Sequence, residues 1–163
     1  MHRSPWQDVT RKNLLPHLLG CGDVHTILTD PDATVSFNGE ELDASSLEDL
    51  HRLQRELGFQ LHAGEYWYDA RSGATGRAGG PTAGFLPSGL RLGGAMSPRC
   101  SDGHTELYLN GRELHEVDRR GLERLLGPIP CGRYWMDDTG HIGLDGQPAA
   151  YDLPESAPIA RSA

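Results

Sequence analysis

The chain has 163 residues, 37% of them hydrophobic and 23% charged, which suffices for one domain with a real core or two very small ones. Its net charge of −8 argues against nucleic acid as a main ligand, and no apolar run approaches the ~20 residues that a membrane-spanning helix needs. Twenty-one glycines and eleven prolines argue for tight turns and against an all-helical bundle.

In chain order, Ser4-Pro5-Trp6 through Leu19-Gly20 reads as a short helix. Ser4 can cap it, Pro5 fits its first turn and Pro16 bends or breaks it. Its apolar face is Trp6, Leu14, Leu15, Leu18 and Leu19. The alternation His25–Thr29, the turn Asp30-Pro31-Asp32 and the return Thr34–Phe37 predict a β-hairpin, and Asn38-Gly39 predicts a further turn. Ser45 and Glu48 have capping-box spacing, and Leu47, Leu50, Leu53 and Leu57 follow at helical intervals, with Gly58 past the end. Gly64-Glu65-Tyr66-Trp67-Tyr68-Asp69 reads as a strand, with Tyr66 and Tyr68 on one face and Trp67 on the other. Gly73, Gly76 and Gly79 then recur before Pro81. This spacing predicts sharp turns and close backbone approach beneath large rings.

The same blocks recur in the same order. Val35-Ser36-Phe37-Asn38-Gly39-Glu40-Glu41-Leu42 matches Leu107-Tyr108-Leu109-Asn110-Gly111-Arg112-Glu113-Leu114 at four of eight positions. Leu114, Val117, Leu122 and Leu125, stopped by Gly127-Pro128, form the second helix pattern. Gly132-Arg133-Tyr134-Trp135-Met136-Asp137 repeats the aromatic strand, followed by Gly140, Gly143, Gly146 and Pro148. Both series close on Leu-Pro, at Leu86-Pro87 and Leu153-Pro154. The expected organisation is therefore an N-terminal helical segment at 1–23, unit one at 24–90, unit two at 91–154 and a flexible tail at 155–163. The fold class is α+β: two tandem β-hairpin–helix–β-hairpin pseudo-repeats packed by a pseudo-twofold contact around one shared core.

The strings VSFNGEEL and GEYWYDARSGATGRAGGP, a stretch ending LGG, SDGHTELYLNGREL and GRYWMD together resemble one region of the plant extra-large GTP-binding proteins. That region precedes their Gα-like domain, and the resemblance covers residues 34–148. It implies a regulatory or interaction domain. GTP binding and hydrolysis do not carry over, because the nucleotide site lies in the Gα-like domain. The cysteine-rich region of those proteins does not carry over either, because its cysteine pairs are missing here. Fourteen arginines against the single Lys12 point to a GC-rich, bacterial source for a stand-alone duplicated domain.

The candidate contact residues are Tyr66, Tyr68, Arg71, Arg77 and Tyr134. Their aromatic rings suit a groove that grips a peptide, and their guanidinium groups suit a carboxylate or phosphate. Trp67 and Trp135 are expected in the core. The glycine series is no phosphate cradle, since a proline rather than a helix follows it. Asp69 and Asp137 are expected to cap turn N–H groups. The residues Asp137, Asp138 and Asp145 have no matching set in unit one, where Ala70 and Ala78 stand at the latter two places, so no calcium site is expected. No metal or cofactor is assigned. Cys21, Cys100 and Cys131 lack CxxC spacing, and there is no HExxH motif. The expected function is a non-catalytic, cytoplasmic protein- or peptide-binding module. Two alternatives stand beside it. One is a small hydrolase or transferase using Cys100 with His104, or Cys131 with His141, between the units. The other is a subunit of a larger assembly, joined through the N-terminal helix.

Overall fold

At Asn38-Gly39 and at Asn110-Gly111 the backbone turns with both residues at positive φ (51° and 81°, then 52° and 86°). This is the geometry that Asn-Gly accepts most readily between two strands. A computed structural model describes residues 34–57 and 63–153. The predicted N-terminal helix, the strand His25–Thr29, Gly58, Cys21 and the tail lie outside the described residues.

The first turn joins β1 (Val35–Phe37) to β2 (Glu40–Glu41). Helix α1 (Ala44–Leu57) follows, then β3 (Gly64–Tyr68), β4 (Ala74–Arg77) and β5 (Gly84–Phe85). The second turn joins β6 (Leu107–Leu109) to β7 (Arg112–Glu113), ahead of α2 (Glu116–Leu126), β8 (Gly132–Met136), β9 (His141–Leu144) and β10 (Ala149–Asp152). The protein is thus α+β, the described residues forming two helices and two mixed five-stranded sheets ordered β2-β1-β3-β4-β5 and β7-β6-β8-β9-β10. In each sheet the hairpin strand pairs parallel with the strand after the helix, Val35 opposite Gly64 and Leu107 opposite Gly132. The neighbouring pairs are antiparallel.

Each turn asparagine prolongs its parallel ladder. The Asn38 amide donates to the Tyr68 carbonyl and accepts from the Tyr68 N–H, both at 2.9 Å. Asn110 holds Met136 in the same way, at 2.8 and 3.0 Å. The cap of α1 differs from the expected Ser45. The Ser46 N–H donates to the Asp43 carboxylate at 2.7 Å, so the cap lies two residues earlier and the helix starts at Ala44. Helix α2 is capped by the His115 ring, which accepts from the Val117 N–H at 3.0 Å, and it ends at Gly127 as expected.

The glycines do what their spacing predicts. A Cβ on Gly76 would stand 2.3 Å from the Pro81 carbonyl oxygen and 2.9 Å from the Trp67 ring. On Gly143 it would stand 2.5 Å from the Pro148 oxygen and 2.9 Å from Trp135. Each indole lies across a bare backbone and donates to the turn beyond it, Trp67 to Gly80 at 3.1 Å and Trp135 to Gln147 at 2.9 Å.

The apolar interior differs from the single shared core expected. Val35, Phe37, Leu50, Tyr66, Tyr68, Leu86 and Leu92 form one cluster between the first sheet and α1. Leu107, Leu109, Leu114, Leu122, Tyr134, Met136, Ile142 and Leu153 form another with the second sheet and α2, and Trp67, Ala74 and Phe85 of the first sheet complete it. These three lie on the face of the first sheet opposite Tyr66 and Tyr68. The first sheet is therefore buried on both faces, its back lying in the second sheet's core. This is a back-to-front arrangement, not the twofold contact predicted, because a twofold would present the same face from both sides.

Candidate functional site

The joint between the sheets is built on Arg112, which is 1% exposed on an edge strand. Its guanidinium carbon lies 3.9 Å from the centre of the Trp67 ring. Nη1 donates to the Ser101 hydroxyl at 2.9 Å and to Asp118 at 3.1 Å, and Nη2 donates to the Thr82 hydroxyl at 3.2 Å. Asp118, wholly buried in the first turns of α2, accepts the Thr82 N–H on both oxygens and the Thr82 hydroxyl, all at 3.0 Å. Two of the three guanidinium nitrogens are bonded, while the buried Nε meets no acceptor among the described residues, and removing one partner of the charge pair strands the other. The residues are too enclosed to meet a ligand, so their work is to fix one sheet on the other. The turn residue Asp69 adds a second tie, accepting from the Asn110 amide at 2.6 Å.

The five predicted contact residues divide by burial. Tyr66, Tyr68 and Tyr134 are all buried, which overturns the exposed aromatic face expected of them. Tyr66 stacks on Phe37 with ring centres 5.4 Å apart. The Tyr68 hydroxyl donates to the Pro87 carbonyl and accepts from the Leu90 N–H, and burial pushes its pKa up to about 12. The Tyr134 hydroxyl donates to the Pro130 carbonyl at 2.7 Å. Alternation put Trp67 opposite these tyrosines correctly, but the second sheet covers that side too. Arg71 and Arg77 are exposed. Arg77 lies 5.6 Å from the Tyr66 ring centre at the sheet margin.

Among the described residues an aromatic surface reaches solvent on the back of the second sheet, where Arg71 was expected for contact but Trp135, Tyr108 and Arg133 were not. Trp135, expected in the core, is half-buried, with the Arg71 guanidinium 5.5 Å from its ring centre. Two residues before it on the same face, the exposed Arg133 lies 4.3 Å from the centre of the half-buried Tyr108 ring. Arginines this close to aromatic faces are held by the ring quadrupole while their N–H groups stay free for acceptors. The sequence held one signal for this patch: at the places of Tyr108 and Arg133 the first block has Ser36 and Glu65, so the second strand pair was the aromatic, cationic one.

The turn carboxylates behave as expected. Asp69 accepts from the Arg71 N–H at 3.0 Å and the Ser72 hydroxyl at 2.6 Å. Asp137 accepts from the N–H groups of Thr139 and His141 at 2.9 and 3.0 Å. Burial raises the Asp137 pKa, but the bonds from Thr139 and His141 outweigh it and hold the carboxyl below its usual value. The thiol partners proposed from sequence are otherwise engaged. His104 faces Asp102 at 3.9 Å, and His141 faces Asp137 at 3.3 Å. The Cys131 thiol points at the Thr105 carbonyl at 3.6 Å, and burial pushes the half-buried Cys100 thiol up in pKa. Among the described residues no three histidine, cysteine, aspartate or glutamate side chains gather as a metal site, and no helix is long and apolar enough to cross a membrane.

At the outer edge of the first sheet, beside β2 and the start of α1, lies a groove of about 510 Å³. Glu40, Glu41, Asp43 and Asp49 line it, with Ser46 and with Arg91 at the rim.

The chain is similar to two plant proteins. Over 120 residues, 72% of its length, it is 32% identical to extra-large guanine nucleotide-binding protein 1 of Arabidopsis thaliana, and the match covers 13% of that protein. Over 91 residues, 54% of its length, it is 31% identical to extra-large guanine nucleotide-binding protein 2 of the same plant, covering 10% of it. The chain thus spans only a small part of these relatives. No protein-family model matches it, and no solved structure does.

Proposed function

We propose that the chain is a non-catalytic protein-interaction or regulatory module of the bacterial cytosol, built from two copies of one β-hairpin–helix–β-hairpin unit. Its contact surface is Trp135 with Arg71, Arg133 and Tyr108. The observation that carries the reading is the placement of Trp135, a large half-buried ring on a sheet face with the Arg71 guanidinium over it and the Arg133–Tyr108 pair on the same face. Tryptophan and arginine dominate binding energy at interfaces, and here both stand on a rigid sheet. The duplication is supported by the recurring sequence blocks and by the common strand order and register of the two sheets. Arg77, on the other side of the first sheet, is a second contact of the same chemistry.

The test is affinity capture from extracts of the source cells, comparing the native chain with R133E and with a W135A/R71A variant. Unchanged melting temperatures serve as the control for R133E. The expected result is a co-eluting protein that both variants lose. A partner that binds all three forms equally refutes the assignment of this face.

A further inference from the structure

The joint between the sheets has a second, unmade version at the two ends of the molecule. The spacing that takes Val35 to Leu107 takes Glu40 to Arg112, Ser46 to Asp118 and Leu50 to Leu122. Around the second sheet these positions form a filled socket. Arg112 lies under Trp67, Asp118 holds Thr82, and neither is open to solvent. Around the first sheet Glu40 and Ser46 line the open groove beside β2, with Glu40 and Glu41 exposed, while Leu50 is buried beneath as Leu122 is. The plug has a counterpart as well. Trp67 lies over Gly76 ahead of the Pro81 turn, and Trp135 lies over Gly143 ahead of the Pro148 turn. Trp67 is wholly covered, but Trp135 is not.

We propose that the groove beside β2 receives the Trp135 face of a second copy of this chain, so that copies associate head to tail. The inference rests on the interaction reading above and names its partner. Charge supports that partner. The groove carries Glu40, Glu41, Asp43 and Asp49, and the face it would receive carries Arg71 over the Trp135 ring and Arg133 over the neighbouring Tyr108 ring. In the joint within one chain the socket supplies the cation, Arg112. Between chains the plug supplies it, and the socket supplies carboxylates. Arg91 at the groove rim opposes this attraction but is outnumbered. Of the acids that follow Trp135 in the chain, Asp137 is bonded by Thr139 and His141 and Asp138 by Ser88, while Asp145 stands across from Arg133 and opposes the attraction as Arg91 does. Such a contact joins two different surfaces. An open oligomer then keeps one free socket and one free plug at its ends and grows, unless the rotation between copies closes a ring.

Sedimentation velocity from micromolar to near-millimolar protein, at low and high salt, tests this. The native chain is expected to form dimers and larger species as concentration rises, and salt should weaken them. A socket variant, E40R/E41R, and a plug variant, R133E, change exposed positions and should keep the native circular dichroism and melting temperature. Each alone should associate about tenfold or more weakly than the native chain. Mixed, they should form one-to-one dimers through the unaltered socket of one and the unaltered plug of the other, and nothing larger. A native chain that is monomeric throughout overturns the proposal, as does a socket variant that associates undiminished. A mixture of the two variants that forms no dimer overturns it too. In any of those cases the capture experiment still decides separately whether the Trp135 face binds a different protein.

Discussion

Replacing Trp67 by Ala removes a ring with no solvent exposure from the second sheet's core. A buried tryptophan covers about 150–250 Å², and truncating one costs about 3–5 kcal/mol. Two further losses come from its neighbours. The Gly80 carbonyl loses its indole donor, at about 1 kcal/mol, and the Arg112 guanidinium loses the ring 3.9 Å away, at about 1–2 kcal/mol. The contributions overlap, so the expected cost is about 4–6 kcal/mol, or a fall in Tm of about 10–20 °C for a chain of this size. Trp135→Ala removes the same side chain from a half-buried place with the same kind of turn bond, and should cost only about 1–2 kcal/mol. Urea denaturation followed by circular dichroism measures both. W67F keeps the comparison open should W67A fail to fold, and should cost about 2–3 kcal/mol. Equal losses for the two alanine variants would refute the back-to-front arrangement, since a twofold joint would bury both rings alike.

Asp118→Asn leaves Arg112 buried without its counter-charge and should cost about 3 kcal/mol, read in the same denaturation experiment; a loss below about 1 kcal/mol would mean that the joint is held by Thr82 and the apolar contacts alone. Thiol labelling with an aromatic disulfide at pH 8 should modify the exposed Cys131 well before Cys100, whose thiol is half-buried and raised in pKa; simultaneous labelling in the folded protein counts against the described burial. Asp137 has a folded pKa below its ordinary 3.8, so its contribution is complete above that value and is lost as pH falls through the lower, folded one. Asp137→Asn should accordingly narrow the gap in Tm between pH 6 and pH 3, and an unchanged gap would show that the turn does not depend on the charge.

What the sequence made legible was local. Asn38-Gly39 and Asn110-Gly111 specify turns by their own backbone preferences, and Gly76 and Gly143 are readable because a large ring sits at a fixed register across from each. The helix patterns read well from their leucines, although α1 is capped by Asp43, two residues ahead of the Ser45–Glu48 capping-box pattern. What stayed hidden was everything set by the packing of one sheet on the other. Thr82 and Asp118 are 36 residues apart with nothing in their spacing to link them. Trp67 and Trp135 look alike in sequence, and only the presence or absence of a covering layer makes one a core residue and the other a surface residue. Tyr66, Tyr68 and Tyr134 were placed on the wrong side of the solvent boundary for the same reason. Alternation tells which residues share a face, not which face is wet.

The dependence of Trp67 and Phe85 on the second sheet has a cost during synthesis. Their cover is complete only when Leu153 has been added, roughly 70 residues after Phe85, or about 3–14 s of elongation. Throughout that interval the nascent chain carries a tryptophan and a phenylalanine on one face of the first sheet with their cover incomplete. That makes it a client for ribosome-associated chaperones, and a message interrupted between the two sheets would release a fragment prone to aggregate.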